Sequence, residues 1–174
     1  LMDSSAVIDQ TLQHVRDLSF DLRPALLDDL GLAPAVRWYL SRQAERTGWI
    51  IDIAVDESLP PPPQPVAIAC FRVLQEAVTN IMRHSKASRV SVSLRQQEGD
   101  VLLIVRDNGV GFDVRNALDK AATGQSMGLI GMQERIRGMN GSISIKSEPG
   151  QGTEVHVRIP VARFSQPGRT EVSI

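Results

Sequence analysis

The 174-residue sequence has one cysteine, almost no net charge and no long apolar run, and each shortage excludes a class of protein. Cys70 has no second cysteine to pair with, so no internal disulfide holds the chain, which fits a reducing, cytoplasmic setting. It lies inside an apolar run and reads as a small buried hydrophobe. Nineteen Lys and Arg against 20 Asp and Glu give a formal charge of -1, so no excess of positive charge recruits nucleic acid or an anionic membrane. Any anion must be held by local groups. No stretch of about 18 apolar residues is present, which excludes a membrane-spanning helix within the chain. With 42% hydrophobic and 22% charged residues, the composition is that of one soluble globular domain, with length to spare for an appended element.

The opening residues Leu1, Ser5, Ile8, Leu12, Val15, Ser19, Leu22 and Leu26 recur at alternating steps of four and three, the seam of a bundle helix. Pro24 ends that helix, because the residue before a proline is pushed out of the helical region. "PALLDDLGL" reads as a connector. A second helix is expected from Pro34 to about Thr47, stopped by Gly48, with Trp38 and Leu40 turned inward. Ile51, Ile53 and Val55 alternate as a strand, and Pro60 to Pro63 form an extended linker. The strongest periodicity spans residues 64–84, where Ala67, Phe71, Leu74, Val78 and Ile81 make a core stripe. Val90, Val92 and Leu94 mark a second strand and "VLLIVRD" a third. Residues 114–127 have little apolar periodicity and read as a mobile loop. A helix over about 129–139 precedes two strands, "SISIKS" and "TEVHVRI", joined by "EPGQG". Residues beyond Pro160 read as a tail. The order of elements predicts an α/β two-layer sandwich with helices on one face of a mixed sheet.

Several chemistries fail on their spacing. Gly109-Val110-Gly111 has Val114 where a dinucleotide fingerprint needs its third glycine, and no GK[ST] exists for a P-loop. "HVRDLSFDL" from His14 mimics a protein-kinase catalytic loop by chance only: Val15 interrupts it and Leu22 stands where asparagine is needed. His14, His84 and His156 form no zinc spacing with Cys70.

What remains is a set of polar groups. Glu76, Asn80 and His84 are four apart on one helix face, with Arg83 beside them, on the side away from the core stripe. Asparagine is a poor helix former, and its amide oxygen suits a hard cation such as Mg2+. Asp107 at the end of a strand can accept a hydrogen bond from an exocyclic amine, while Gly109 and Gly111 let a flat ring approach the backbone. Asp-Asn-Gly is also ordinary turn chemistry. Gly128 and Gly131 open a helix whose free N–H groups can take phosphate oxygens. Gly150-Gln151-Gly152-Thr153 is either a hairpin turn or a second contact to the ring.

Together and in order, "EAVTNIMRH", "DNGVGF", "GLIGM" and "GQGT" resemble the nucleotide-binding boxes of the gyrase B, histidine kinase and MutL ATPase superfamily, over about residues 49–160. "LSFDLRPALLDDLGLAPAVRWYL" resembles the junction between dimerisation and catalytic domains in bacterial sensor histidine kinases that serve helix-turn-helix response regulators. The resemblance implies a Bergerat-type fold over 33–162, a partial dimerisation bundle over 1–32 and a tail over 163–174. It implies Mg-ATP as ligand, with Asn80 on the magnesium and Arg83 and His84 near the phosphates. Glu76 matches the acidic residue that activates water in hydrolysing relatives. Asp107 matches the reader of the adenine amine, Gly109 and Gly111 line the ring, and Thr153 stands beside them. Residues 114–127 become an ATP lid that ends at Ser126, Gly128, Leu129, Gly131 and Met132; Ser126 stands where the family often has glycine. The partners implied are a phosphoacceptor helix and a response regulator, with a membrane reached only through upstream regions. No acceptor histidine with a following acidic residue is found, because His14 falls on what resembles the second dimerisation helix. The chain is expected to bind ATP without phosphorylating itself. Competing readings are a serine kinase of the anti-sigma-factor type, a hydrolysing ATPase and a nucleotide-gated module.

Overall fold

The computed structural model describes residues 25–56, 59–122 and 127–162. The bundle seam of residues 1–22, His14, Ser126 and the tail over 163–174 lie outside the described residues.

The first two elements are short α1 (Ala25–Leu30) and α2 (Leu32–Thr47). The connector therefore contains a helical turn and a half that periodicity could not reveal in six residues. It is held by packing: Leu27 is buried in the core, and Gln64 Nε2 donates to Asp28 Oδ1 at 2.9 Å. Gly48 ends α2 in the left-handed conformation, as expected, and donates its N–H to Ala44 O. Leu40 is buried; Trp38 is only half-buried and carries the Arg42 guanidinium over its ring at 5.5 Å. Tyr39 turns inward beside it and meets Phe71 edge-on at 5.6 Å.

Five strands follow in the spatial order β1-β2-β3-β5-β4: β1 (Ile50–Val55), β2 (Arg89–Gln97), β3 (Asp100–Asp107), β4 (Ser142–Ser147) and β5 (Thr153–Pro160). β1 pairs with β2 in parallel and every other pair is antiparallel, so the sheet is mixed. β2 and β3 form a hairpin through Glu98 and Gly99, both at positive φ. The alternation read from the sequence becomes rows across the sheet. Ile53, Val92, Val105, Val155 and Ile145 lie in one row on the helix-facing side. The next row toward the strand ends is Ile51, Val90, Asp107, Thr153 and Ser147. Two aliphatic residues thus give way to three polar ones in the same layer. The opposite face is polar: Arg106 pairs with Glu154, Arg158 with Asp100, and His156 Nε2 lies 2.7 Å from Glu154.

The helices cover one face, as an α/β sandwich requires. α3 (Gln64–Asn80) buries Ala67, Phe71, Leu74 and Val78 of its expected stripe, and Ile81 follows in the same core. Burying these side chains is worth about 1.5–3 kcal/mol for each large one. The helix does not run on regularly to His84. Ile81–Ser85 forms a π turn, one residue wider than α, and Lys86 closes it in the left-handed region.

Residues 114–127, read as a loop, contain α4 (Val114–Ala122). Its start is capped by Asp113, whose Oδ1 accepts the Asn116 N–H at 2.9 Å, and Ala117 and Leu118 pack on the core. The loop expectation is thereby corrected: Val114, Ala117, Leu118 and Ala121 carry the i, i+3, i+4, i+7 spacing of a helix, but over so few residues, with alanine at two of the four positions, that the sequence reading passes over the stripe. α5 (Met127–Gly138) then buries Leu129, Met132 and Ile136. Asn140, not Gly141, adopts the left-handed conformation after it. Gly141 is required instead for closeness, since a Cβ there would press on Arg158 O and Ile136.

Candidate functional site

A cavity of about 480 Å³ lies between the sheet and the helices, where the polar row of strand ends meets the end of α3. Its floor is apolar, from Val105, Val155 and Ile145 of the sheet and Ala77 and Ile81 of the helix side. Phe112, Ala117, Leu129 and Met132 form the opposite wall. Its polar groups are Asn80, His84, Ser85, Asp107 and Thr153. The cavity therefore sits on the seam between the core stripe of α3 and its polar face, so both supply its lining.

Asp107 is 4% exposed. Burial pushes its carboxyl pKa up, opposed by hydrogen bonding from the Gly109 N–H first and then from Thr153. The Gly109 N–H donates to Oδ1 at 2.7 Å. A buried carboxylate without a cationic partner among these contacts is an arrangement folding alone does not favour. Thr153 is its register partner across the β3–β5 pair. Ser147 extends the network: its hydroxyl donates to Gly152 O at 2.7 Å, accepts the Phe112 N–H at 2.9 Å, and lies 3.1 Å from Thr153 Oγ1.

Asn108 has a different task. Its Oδ1 accepts the N–H groups of Ser88 and Arg89, and its Nδ2 donates to Ser88 Oγ at 3.1 Å. The turn chemistry of Asp-Asn-Gly is thus real, and it frees Asp107 to face the cavity. Gly111, at φ 60, passes so close to the 148–152 turn that a Cβ would fall on Glu148 O. Val110 ties the loop on both sides, donating to Ser85 O at 2.7 Å and accepting from Gly150 N–H at 2.6 Å.

The remaining described residues proposed from sequence line two adjoining hollows, except Arg83 and Gly109. Leu129 and Met132 line the cavity with Asp107, and exposed His84 stands at its edge. Glu76, Gly128 and Gly131 line a neighbouring polar cleft of about 650 Å³, together with Arg72, Thr79 and Arg135. The two hollows share Met132, and a Cβ on Gly128 of the polar cleft would fall on Glu76 Oε1 and lie 3.6 Å from Asn80 Nδ2 of the cavity. Arg83 is exposed and lines neither hollow; the wider turn carries it outward. Gly109 is not in the lining and instead makes room for Ser85. Sequence reasoning missed Ser85, Ser147 and Phe112, whose only signal was their nearness to residues already chosen.

Among the described residues no group of three His, Cys, Asp or Glu could hold a metal ion. Asn80 offers one hard oxygen donor at the boundary of cavity and cleft, which fits a divalent cation held mainly by a ligand's own phosphate oxygens. Chemically, the cavity is a slot for a flat apolar ring, closed by an acceptor that matches a ring N–H donor.

An α/β sandwich with this slot between its layers defines a nucleotide-binding module. The profile of the histidine kinase-, DNA gyrase B-, and HSP90-like ATPases matches residues 66–163, and the chain belongs to that family of ATP-binding domains. Among curated proteins, it is 35% identical over 164 residues to the signal transduction histidine-protein kinase/phosphatase DegS of Brevibacillus brevis, covering 92% of this chain and 40% of that protein. It is 33% identical over 165 residues to the oxygen sensor histidine kinase NreB of Staphylococcus carnosus, covering 92% of this chain and 46% of that protein. The chain thus spans less than half the length of either relative. Among solved structures, the histidine kinase domain of the Erythrobacter litoralis EL346 blue-light activated kinase superposes with a TM-score of 0.60 at 16% identity, over 75% of this chain and 60% of that one. That likeness shows the fold, a mixed five-stranded sheet with its helices. No helix among the described residues is long and apolar enough to cross a membrane.

Proposed function

We propose that this chain is the catalytic ATP-binding part of a sensor histidine kinase, and that in the whole protein it delivers the γ-phosphoryl group of Mg-ATP to a histidine outside the region described. The observation that carries the reading is the buried Asp107 carboxylate at the polar end of an apolar slot, with Asn80 at the boundary with the second, polar cleft. Adenine fits the slot, with its exocyclic amine on Asp107 and Thr153 beside it. Gly111 lines the slot, held there by its close approach to the 148–152 turn. The triphosphate then extends past Asn80 and His84 toward the start of α5, where the N–H groups near Gly128, Leu129 and Gly131 can receive phosphate oxygens. Arg83 serves at longer range.

Asn80 is the residue that would hold magnesium, and the metal would supply charge neutralisation between the phosphates. Glu76, just across Gly128, orients the incoming group. The acceptor imidazole nitrogen bonds to the γ-phosphorus, the bond from that phosphorus to the β,γ-bridging oxygen breaks, and ADP leaves. The phosphohistidine then passes its phosphoryl group to a response-regulator aspartate. The names of the two curated relatives support this direction over water as acceptor. On this reading residues 33–162 are the ATP-binding domain and 1–32 the second helix of a dimerisation bundle with its connector.

The test is calorimetric titration of Mg-ATP and Mg-GTP into the chain, followed by incubation with γ-labelled ATP, alone and with a separately supplied acceptor domain. Adenine-selective binding with label only on the acceptor supports the proposal. Steady release of phosphate without an acceptor would replace it with a hydrolase.

A further inference from the structure

The polar cleft beside the slot holds cations that the proposed reaction leaves unused. It is a groove between two helices. α5 gives it Gly128, Gly131, Met132 and Arg135, at the i, i+3, i+4, i+7 spacing of one helix face, and α3 gives it Arg72 and Glu76 among others. Glu76 already places an anion beside the start of α5, since a Cβ on Gly128 would fall on its Oε1. A phosphate brought there meets like charge and needs a cation on the same walls. Arg83 lines neither hollow, and His84 lines the slot rather than the cleft.

The two guanidiniums of the cleft differ. Arg72 is engaged along its own helix, its Nη1 donating to Gln75 Oε1 at 3.1 Å. Arg135 has a clear way back toward the start of α5. A helical side chain leans toward the N-terminus of its helix and lies over the residues three and four positions before it. Four before Arg135 is Gly131, which has no side chain and where an added Cβ would meet nothing within 4 Å. Three before that, on the same wall, is Gly128. The seven residues from Gly128 to Arg135 span about 10 Å of helix, and the two glycines leave that face open for a long side chain to cross.

We propose that Arg135 binds the terminal phosphate of ATP from the α5 side of the cleft, opposite Glu76, and so lets the site tell ATP from ADP. This rests on the reading of the slot as the adenine site, which carries the triphosphate toward Gly128. A basic residue in the last turn of a helix also suits the helix dipole. Arg137, in the same turn, exposed and lining neither hollow, has that role without the cleft.

The test titrates Mg-ATP, Mg-ADP and Mg-GTP into the 174-residue chain, Arg135→Gln and Arg137→Gln by calorimetry. Arg135→Gln should weaken Mg-ATP about tenfold, the low end for a charge-assisted hydrogen bond because the side chain is exposed, and Mg-ADP by less than about twofold. Near-native ADP binding also reports that the fold is intact. Arg137→Gln should leave both ligands within about twofold. Equal weakening of ATP and ADP by Arg135→Gln, no weakening of ATP, or the same loss in Arg137→Gln would overturn the proposal and leave Arg135 as a helix-end charge. A native preference for ATP over GTP upholds the adenine reading whatever Arg135 does. Its absence would overturn that reading and this proposal with it.

Discussion

Replacing Asp107 by asparagine keeps the shape of the side chain and removes its charge. The native carboxylate accepts the Gly109 N–H at 2.7 Å and has Thr153 as its neighbour across the β3–β5 pair. An amide has one acceptor oxygen and two N–H donors. With its oxygen on Gly109, its nitrogen would face the incoming amine, donor against donor, whereas the Thr153 hydroxyl can rotate to accept from it. Loss of one charge-assisted hydrogen bond is worth about 1.5–3 kcal/mol, so Mg-ATP should bind about 10- to 150-fold more weakly by calorimetry. Stability without ligand should move the other way. Burial raises the native pKa above the unfolded value, so this group's contribution to stability is full in acid and lost as pH rises through the raised native value. Asp107→Asn should therefore unfold at an equal or higher temperature than the native chain at neutral pH, the difference fading below the ordinary carboxylate range. ATP binding by the native chain should strengthen as pH rises through that same window. Binding within threefold of native would refute the assignment, and a variant that is simply unstable at every pH would refute the electrostatic argument.

Asn80→Ala should remove the effect of Mg2+ on ATP affinity while leaving adenosine binding within about twofold, read by titration with and without chelator. Gly152, at φ 73, lies where a Cβ would fall on Asp107 O. Gly152→Ala should lower stability by about 1–3 kcal/mol in urea unfolding and weaken ATP binding with it, because the strain acts on the residue that bears the carboxylate. The Cys70 thiol is buried and its pKa pushed up to about 12, so a disulfide reagent at pH 8 should label it only as fast as the chain opens. Rapid labelling without denaturant would mean that the α3 core is looser than described.

The parts of the fold visible in sequence were those that repeat a period long enough to be counted. The stripe of α3 and the alternation of β2, β3 and β5 fall on the residues that are buried. Strand order was not visible. That β1 lies parallel to β2 at the sheet edge depends on how the helices cross over it, which no local pattern records. The two helices missed, α1 and α4, are short and hold their places through few contacts: buried Leu27 and the Gln64–Asp28 hydrogen bond for one, Ala117, Leu118 and the Asp113 cap for the other. The Asp113 cap and the helical spacing of Val114, Ala117, Leu118 and Ala121 were in the sequence, but three of the five apolar residues in these nine are alanine, and a glycine and further small residues lie just beyond.

Within the site, sequence reasoning found groups whose chemistry is unusual for their place: an asparagine inside a helix, a carboxylate at the end of an apolar strand. Ser85 and Ser147 are ordinary residues anywhere, and they matter here because of a register. Ser147 enters through strand pairing, which sets it opposite Thr153 and so beside Asp107. Ser85 enters through the π turn, whose extra residue is a hydrogen-bond slip that no residue type demands. The slip is held from outside, by the Val110 N–H on Ser85 O and by Gly109 yielding space beneath it. The loop that bears Asp107 therefore shapes the end of the helix that bears Asn80, and neither half of the site has its geometry alone. The motifs are separated in sequence but folded as one unit, so strain placed at Gly109 or Gly152 should reach nucleotide binding without altering any residue that touches the nucleotide.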